Sequence, residues 1–152
     1  MFQHDLLKGK RILITGGGSG LGRSMTARIV ELGAKAVICG RRREVLEESA
    51  REIGEDQVAV HPCDLRDPEA VEAMVAAIFA GGPLDGLVNN AAGNILSPTE
   101  ALSHRAVDAV LGSVLHGTAY VTLACVRRWL EAKSRASVVS NVSTYAASGS
   151  AY

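Results

Sequence analysis

Short apolar runs alternate with helical repeats along this chain, and that alternation constrains its fold more than any other feature. The runs are "RILIT" (11–15), "AVIC" (36–39), "QVAVHPCD" (57–64), "LDGLVNNAAG" (84–93, running into a loop) and "SVVSNV" (137–142). Between them lie helical stripes. Leu21, Met25, Ile29 and Leu32 precede Gly33; Val45, Leu46, Ala50 and Ile53 precede Gly54; Val71, Met74, Val75 and Ile78 precede Gly81 and Gly82. The last stripe follows the i, i+3, i+4, i+7 spacing of one helix face. A longer helical pattern covers about 103–130. The runs are apolar throughout rather than alternating with polar residues, so both faces of each strand are buried, as in a parallel sheet covered by helices. Parallel neighbours need right-handed crossovers. The prediction is an α/β, doubly wound parallel sheet in the order 3-2-1-4-5, with the fifth strand at an edge. No linker or repeat interrupts residues 1–152, which read as one domain.

The first strand runs into "TGGGSGLG" (15–22), and a helix follows at once. Side chains there would hold a phosphate away from the backbone N–H groups and the helix N-terminus that bind it. Gly16, Gly20 and Gly22 leave that space, and Ser19 adds a hydroxyl. Set between a strand and a helix, the loop predicts a nucleotide site rather than a plain turn. After the second strand, a site preferring NAD carries an acid for the ribose 2′-hydroxyl. This chain reads "CGRRRE" (39–44), with no acid before Glu44. Arg41 and Arg42 suit a 2′-phosphate through paired, charge-assisted hydrogen bonds. The cofactor predicted is therefore NADP (NADPH), ahead of NAD.

Charge and composition exclude other classes. Lysine plus arginine and aspartate plus glutamate number 16 each, so no net field draws the chain to nucleic acid or to an anionic membrane. Cys39, Cys63 and Cys125 are odd in number and widely spaced, which argues against a disulfide framework or a zinc site. The histidines at 4, 61, 104 and 116 are not grouped as metal ligands, so no metal is expected. "MFQHDLLKGK" lacks the apolar core of a signal peptide, and no uninterrupted apolar run approaches the ~18 residues of a membrane span. A cytoplasmic protein is expected.

The spacing G-x-x-x-G-x-G in the loop, together with "NNAAG" at 89–93, resembles the short-chain dehydrogenase/reductase family along the whole chain. The resemblance implies a Rossmann-type fold and an oxidoreductase. It also implies a cofactor set of Thr15, Gly16, Gly18, Ser19, Gly20, Leu21, Gly22, Asn90 and Ala91, with Asp64 against the adenine. Ordinary members place a serine in an N-[IV]-S-S run, matched here by "NVST" (141–144), and a tyrosine thirteen residues after that run. That position is about 157, so Tyr152 does not fill it. Their helix asparagine stands three residues before a glycine; Val114, three before Gly117, occupies the place.

"AAGNILSPTEALS" (91–103), "HGTAYVTL" (116–123) and "YAASGSAY" (145–152) instead look like the 2,4-dienoyl-CoA reductases. That branch implies Tyr145 as the proton donor, four residues before Gly149, and Asn94 as its partner. It puts Arg66, Ile95 and Ser103 beside an acyl-CoA substrate. Plainer readings stand alongside: a buried aromatic for Tyr145, a turn residue for Asn94 and a surface charge for Arg66. His116 departs from the branch, which has asparagine there. The branch's lysine falls fifteen residues after Tyr145, past residue 152, so the expectation is the N-terminal, cofactor-binding part of a longer enzyme, inactive by itself. For the full-length form the resemblance implies NADPH-dependent reduction of 2,4-dienoyl-CoA in fatty acid metabolism, by a homo-oligomer. The alternatives are a ketone/alcohol oxidoreductase on 3-oxoacyl or sugar-type substrates, in which Ser143 or Thr144 polarises the carbonyl, and an inactive nucleotide-binding fragment.

Overall fold

A computed structural model describes residues 2–143 of the chain. Five parallel strands, β1 (Arg11–Thr15), β2 (Lys35–Gly40), β3 (Val58–Pro62), β4 (Gly86–Asn89) and β5 (Ser137–Ser140), form one sheet in the order β3-β2-β1-β4-β5. This is the order the βα alternation predicts. Leu13 lies opposite Val37 on one side and Leu87 on the other, which places β1 at the centre. The third and fifth strands are shorter than their apolar runs. β3 stops at Pro62, where the chain turns towards Asp64, and β5 stops at Ser140, where β4 has run out of partners.

Successive side chains of a strand point to opposite faces, and the two faces build two cores. Leu13, Val37 and Leu87 pack with α3 (Pro68–Ala80) and α5 (Gly117–Glu131), through Val71, Val75, Ile78, Val121 and Cys125. Ile14, Ile38 and Val58 pack with α2 (Arg43–Ile53), through Leu46 and Ala50, and with Ile29 and Val30 of α1 (Gly20–Glu31). Each fully buried Leu, Ile or Val contributes about 1.5–3 kcal/mol relative to an exposed one. Trp129 closes the first core and donates its indole N–H to the Leu84 carbonyl at 2.8 Å, so burial leaves no orphan donor.

Two helices differ from the periodicity reading. In α1 the predicted stripe holds at Ile29, which packs on the core, but at the N-terminal turn Gly22 and Thr26 are buried while Leu21 is 68% exposed. A helix pressed this closely to backbone presents its small residues there, so the apolar stripe is displaced at Leu21. The long pattern at 103–130 divides into α4 (His104–Leu111), a π-helical turn (Gly112–His116) and α5. A π turn inserts a residue into the helical ladder, and such turns gather at functional sites. By length and composition the continuous run His104–Glu131 could cross a membrane. Its α5 part nevertheless buries Val121, Ala124, Cys125 and Trp129 in the core.

Candidate functional site

The site forms at the carboxyl ends of β1 and β4, where consecutive connections leave the sheet in opposite directions and a crevice opens. Thr15 ends β1 and is buried. Its hydroxyl accepts the N–H groups of Asn90 and Ala91, both at 2.9 Å, and donates to the Val88 carbonyl at 3.4 Å. Asn90 returns an amide hydrogen bond to the Thr15 carbonyl at 3.1 Å. One threonine thus fastens the glycine loop to the "NNAAG" segment.

Gly16 turns the chain at φ +67°, a left-handed conformation that costs glycine little. A Cβ on Gly22 would overlap the Gly16 carbonyl and the Asn90 side chain. The start of α1 is left open. Ser19, its N-cap residue, makes no capping hydrogen bond through its side chain, and the first turn carries no acid. In α3, by contrast, Asp67 accepts the N–H groups of Glu69 and Ala70 at 2.9 and 3.1 Å. The uncapped N–H groups and dipole of α1 are what a pyrophosphate requires.

They face a cleft of about 380 Å³ lined by Gly16, Gly18, Ser19, Leu21, Gly22, Arg41, Arg42, Asp64, Asn90 and Ala91. Apart from Thr15 and Gly20, every residue expected to hold cofactor lines it. Thr15 acts from behind, and Gly20 supplies a second positive φ, +51°. Arg41 and Arg42 lie on the exposed rim and form no ion pair among the described residues. The cleft and its uncapped helix fit a dinucleotide.

Asp64 follows β3. Its carboxylate accepts the Arg66 backbone N–H (3.1 Å), Nε (3.0 and 3.1 Å) and Nη2 (2.5 Å). Those hydrogen bonds hold the Asp64 carboxyl below its ordinary pKa and raise that of the Arg66 guanidinium. Arg66, expected beside an acyl-CoA, lies on this cleft together with Asp64.

A second, larger cavity of about 1140 Å³ adjoins the first and shares Ala91, Ala92 and Asn141 with it. Ile95, Leu96, Pro98, Val110 and Val142 make most of its wall apolar, and Asn94 and Ser143 add polar groups. Val114 lines it from the π turn, in the place where ordinary relatives carry the helix asparagine. Asn89 stands at its back, donating to the Thr122 hydroxyl at 2.9 Å while its buried Oδ1 lacks a hydrogen-bond partner among the described residues.

Ser103 is not on this wall. It caps α4 by accepting the Ala106 N–H at 3.2 Å. His116 stacks obliquely on Tyr120, with ring centroids 6.0 Å apart. Tyr145, Thr144 and Tyr152 lie outside the described residues. Sequence reasoning missed Asn141, which joins the two cavities and donates to Asn90 Oδ1 at 3.1 Å. Its position just after the fifth strand, on the side where α/β sheets bind ligands, was the available signal.

A doubly wound sheet with a glycine cleft at its crossover defines a dinucleotide-binding α/β domain. The chain belongs to the short chain dehydrogenase family, whose pattern it matches over residues 10–152, and these oxidoreductases use nicotinamide cofactors. It is 40% identical over 140 residues to a probable 2,4-dienoyl-CoA reductase of Bacillus subtilis, covering 90% of this chain and 55% of that protein. It is also 40% identical over 152 residues to a probable 2,4-dienoyl-CoA reductase of Caenorhabditis elegans, covering 96% of this chain and 49% of that one. A crystal structure of a short chain dehydrogenase from Bacillus anthracis superimposes with a TM-score of 0.91 at 37% identity, over 95% of this chain and 59% of that one. The chain therefore spans about half the length of the curated relatives it matches.

Proposed function

We propose that the full-length protein reduces 2,4-dienoyl-CoA thioesters with NADPH. The observation that carries this reading is the junction of two cavities at Ala91, Ala92 and Asn141: a cationic glycine cleft and a larger, mostly apolar chamber. The chamber's aliphatic wall suits an acyl chain, and polar groups such as Asn94 and Ser143 on it could orient one. Two relatives carrying the dienoyl-CoA name support the substrate class.

The glycine loop, the start of α1 and the Arg41–Arg42 pair would hold NADPH, which when bound supplies the hydride. Asn94 and Tyr145 act on the substrate. As the diene is reduced at its remote end, negative charge collects on the thioester oxygen, and the Asn94 amide and Tyr145 phenol donate hydrogen bonds to it. Donors already placed where charge develops stabilise a transition state more than water does. A phenol with a pKa near 10 is protonated at neutral pH and needs no activation to donate.

The test is a chimera in which the C-terminal half of the Bacillus subtilis relative follows residue 152, assayed for NADPH oxidation with a medium-chain 2,4-dienoyl-CoA. Activity is expected, and Tyr145→Phe should remove most of it. A chimera whose Tyr145→Phe form keeps nearly full rate would overturn the assignment. The ketone/alcohol reading would then gain, since Ser143 also lines the chamber, where its hydroxyl could polarise a carbonyl.

A further inference from the structure

We infer that Asn141 holds the redox-side ribose of a bound dinucleotide: its side-chain amide oxygen, oriented by the ends of neighbouring strands, accepts a ribose hydroxyl at the mouth of the chamber. This rests on the cleft being a dinucleotide site and gives a task to a residue that neither spacing nor resemblance singled out.

A chain of amides crosses the carboxyl edge of the sheet. Thr15 ends β1, Asn90 follows β4 and Asn141 follows β5, and these strands are neighbours in the order β1-β4-β5. Asn90 Nδ2 donates to the Thr15 carbonyl at 3.1 Å, and Asn141 Nδ2 donates to Asn90 Oδ1 at 3.1 Å. The polarity of this chain is forced. A backbone carbonyl only accepts, so Asn90 turns its amino group to Thr15 and its oxygen to Asn141. Asn141 meets that oxygen with its own amino group, which leaves its Oδ1 on the far side of the amide. Turning either amide over would set oxygen against oxygen. The Asn141 backbone is held too, because its N–H donates to the Asn89 carbonyl at 2.8 Å and extends the β4–β5 ladder. The side chain is exposed, so the oxygen it presents is open to a ligand.

Position selects the ligand group. The pyrophosphate belongs at the glycine loop, and the ring that passes hydride must reach the chamber. Between that phosphate and that ring a dinucleotide has one piece, a ribose. Asn90 and Ala91 line the cleft beside the loop, and Asn141 lines both cavities, so the piece that passes over Asn141 is the sugar. Its hydroxyls donate hydrogen bonds, and an amide oxygen accepts them without adding charge beside the phosphates.

The experiment is calorimetric titration of the 152-residue chain with NADPH, with 2′-phospho-ADP-ribose, which keeps that ribose but lacks the ring, and with 2′,5′-ADP, which lacks both. The series is repeated on Asn141→Ala and Asn141→Leu. Both variants should weaken NADPH and 2′-phospho-ADP-ribose about three- to tenfold, the scale of one neutral hydrogen bond, and 2′,5′-ADP by less than about twofold. Melting temperatures should stay within about a degree or two, as for an exposed side chain. A loss confined to NADPH would mean a contact to the ring, and equal losses for all three ligands would mean a distorted cleft. Either result overturns the inference, as does no loss at all. Failure of the unaltered chain to bind any of the three would sink the cleft reading itself, and this inference with it.

Discussion

Replacing Gly22 with alanine tests how the cofactor cleft is built. The added methyl would overlap the Gly16 carbonyl and crowd the Asn90 amide, and both belong to the seam that Thr15 ties together. Backbone cannot rotate aside as a flexible side chain can, so α1 must move away from the end of β1. Overpacking of this kind costs about 1–3 kcal/mol. At about 2–4 °C per kcal/mol for a chain of this size, melting should fall by roughly 2–12 °C. Ligand affinity should suffer separately, because the uncapped N–H groups move with the helix. At least a tenfold loss in NADPH affinity is expected, about 1.4 kcal/mol. Gly40→Ala is the control for stability: its Cβ would meet only Leu46 Cδ2 at an ordinary 3.7 Å. Thermal melts and calorimetric titrations on the three proteins decide the matter. A Gly22→Ala chain that melts and binds like the unaltered one would refute the claim that close backbone contact shapes the loop.

Arg41→Asp should narrow or reverse a preference for NADPH over NADH; losing one charge-assisted contact costs about 1.5–3 kcal/mol, or roughly 10- to 150-fold in affinity. Equal affinity of the unaltered chain for both cofactors would count against the arginine pair. Although burial alone would raise the Asp85 pKa, Lys10 Nζ and the Arg11 N–H, each at 2.9 Å, draw it below its ordinary value. A depressed folded pKa gives stability that is present above the unfolded value and lost as pH falls through the folded one. Melting temperature should therefore drop in acid, and Asp85→Asn should flatten that part of the curve. Burial pushes the Cys63 thiol up to about 11 and Cys125 to about 12, and Cys39 is raised as well. A disulfide reagent at neutral pH should label all three rapidly in denaturant and slowly in the folded chain, as mass spectrometry would record.

Much of the fold was legible because its signals are local and redundant. Five apolar runs separated by helical stripes leave few topologies, and the glycine loop marks the crossover by itself. The reading slipped where contact geometry overrides hydrophobicity. Leu21 looks like core, yet Gly22 and Thr26 face the sheet because α1 lies so close to it. The π turn at Gly112–His116 leaves the helical periodicity almost intact, so it reads as one continuous helix. Within the site, the glycines and the Arg41–Arg42 pair could be placed from spacing alone. The pairing of Asp64 with Arg66 was not legible, because spacing does not reveal which way a guanidinium turns. Ser103, expected beside the substrate, also caps α4, a role that a serine just ahead of a helix makes legible.

The central position of β1 has a consequence for the chain's manufacture. Its β2 partner starts about 20 residues after β1 ends, whereas its β4 partner starts only about 70 residues later. At about 5–20 residues per second on the ribosome, one edge of β1 waits roughly 4–14 s for its partner. Throughout that interval Ile12, Leu13 and Ile14 present unpaired backbone and apolar side chains, the combination that recruits stray strands. The strand most protected in the finished sheet is thus the one most exposed during synthesis. Substitutions that slow translation before residue 86 should lower soluble yield without altering the folded protein.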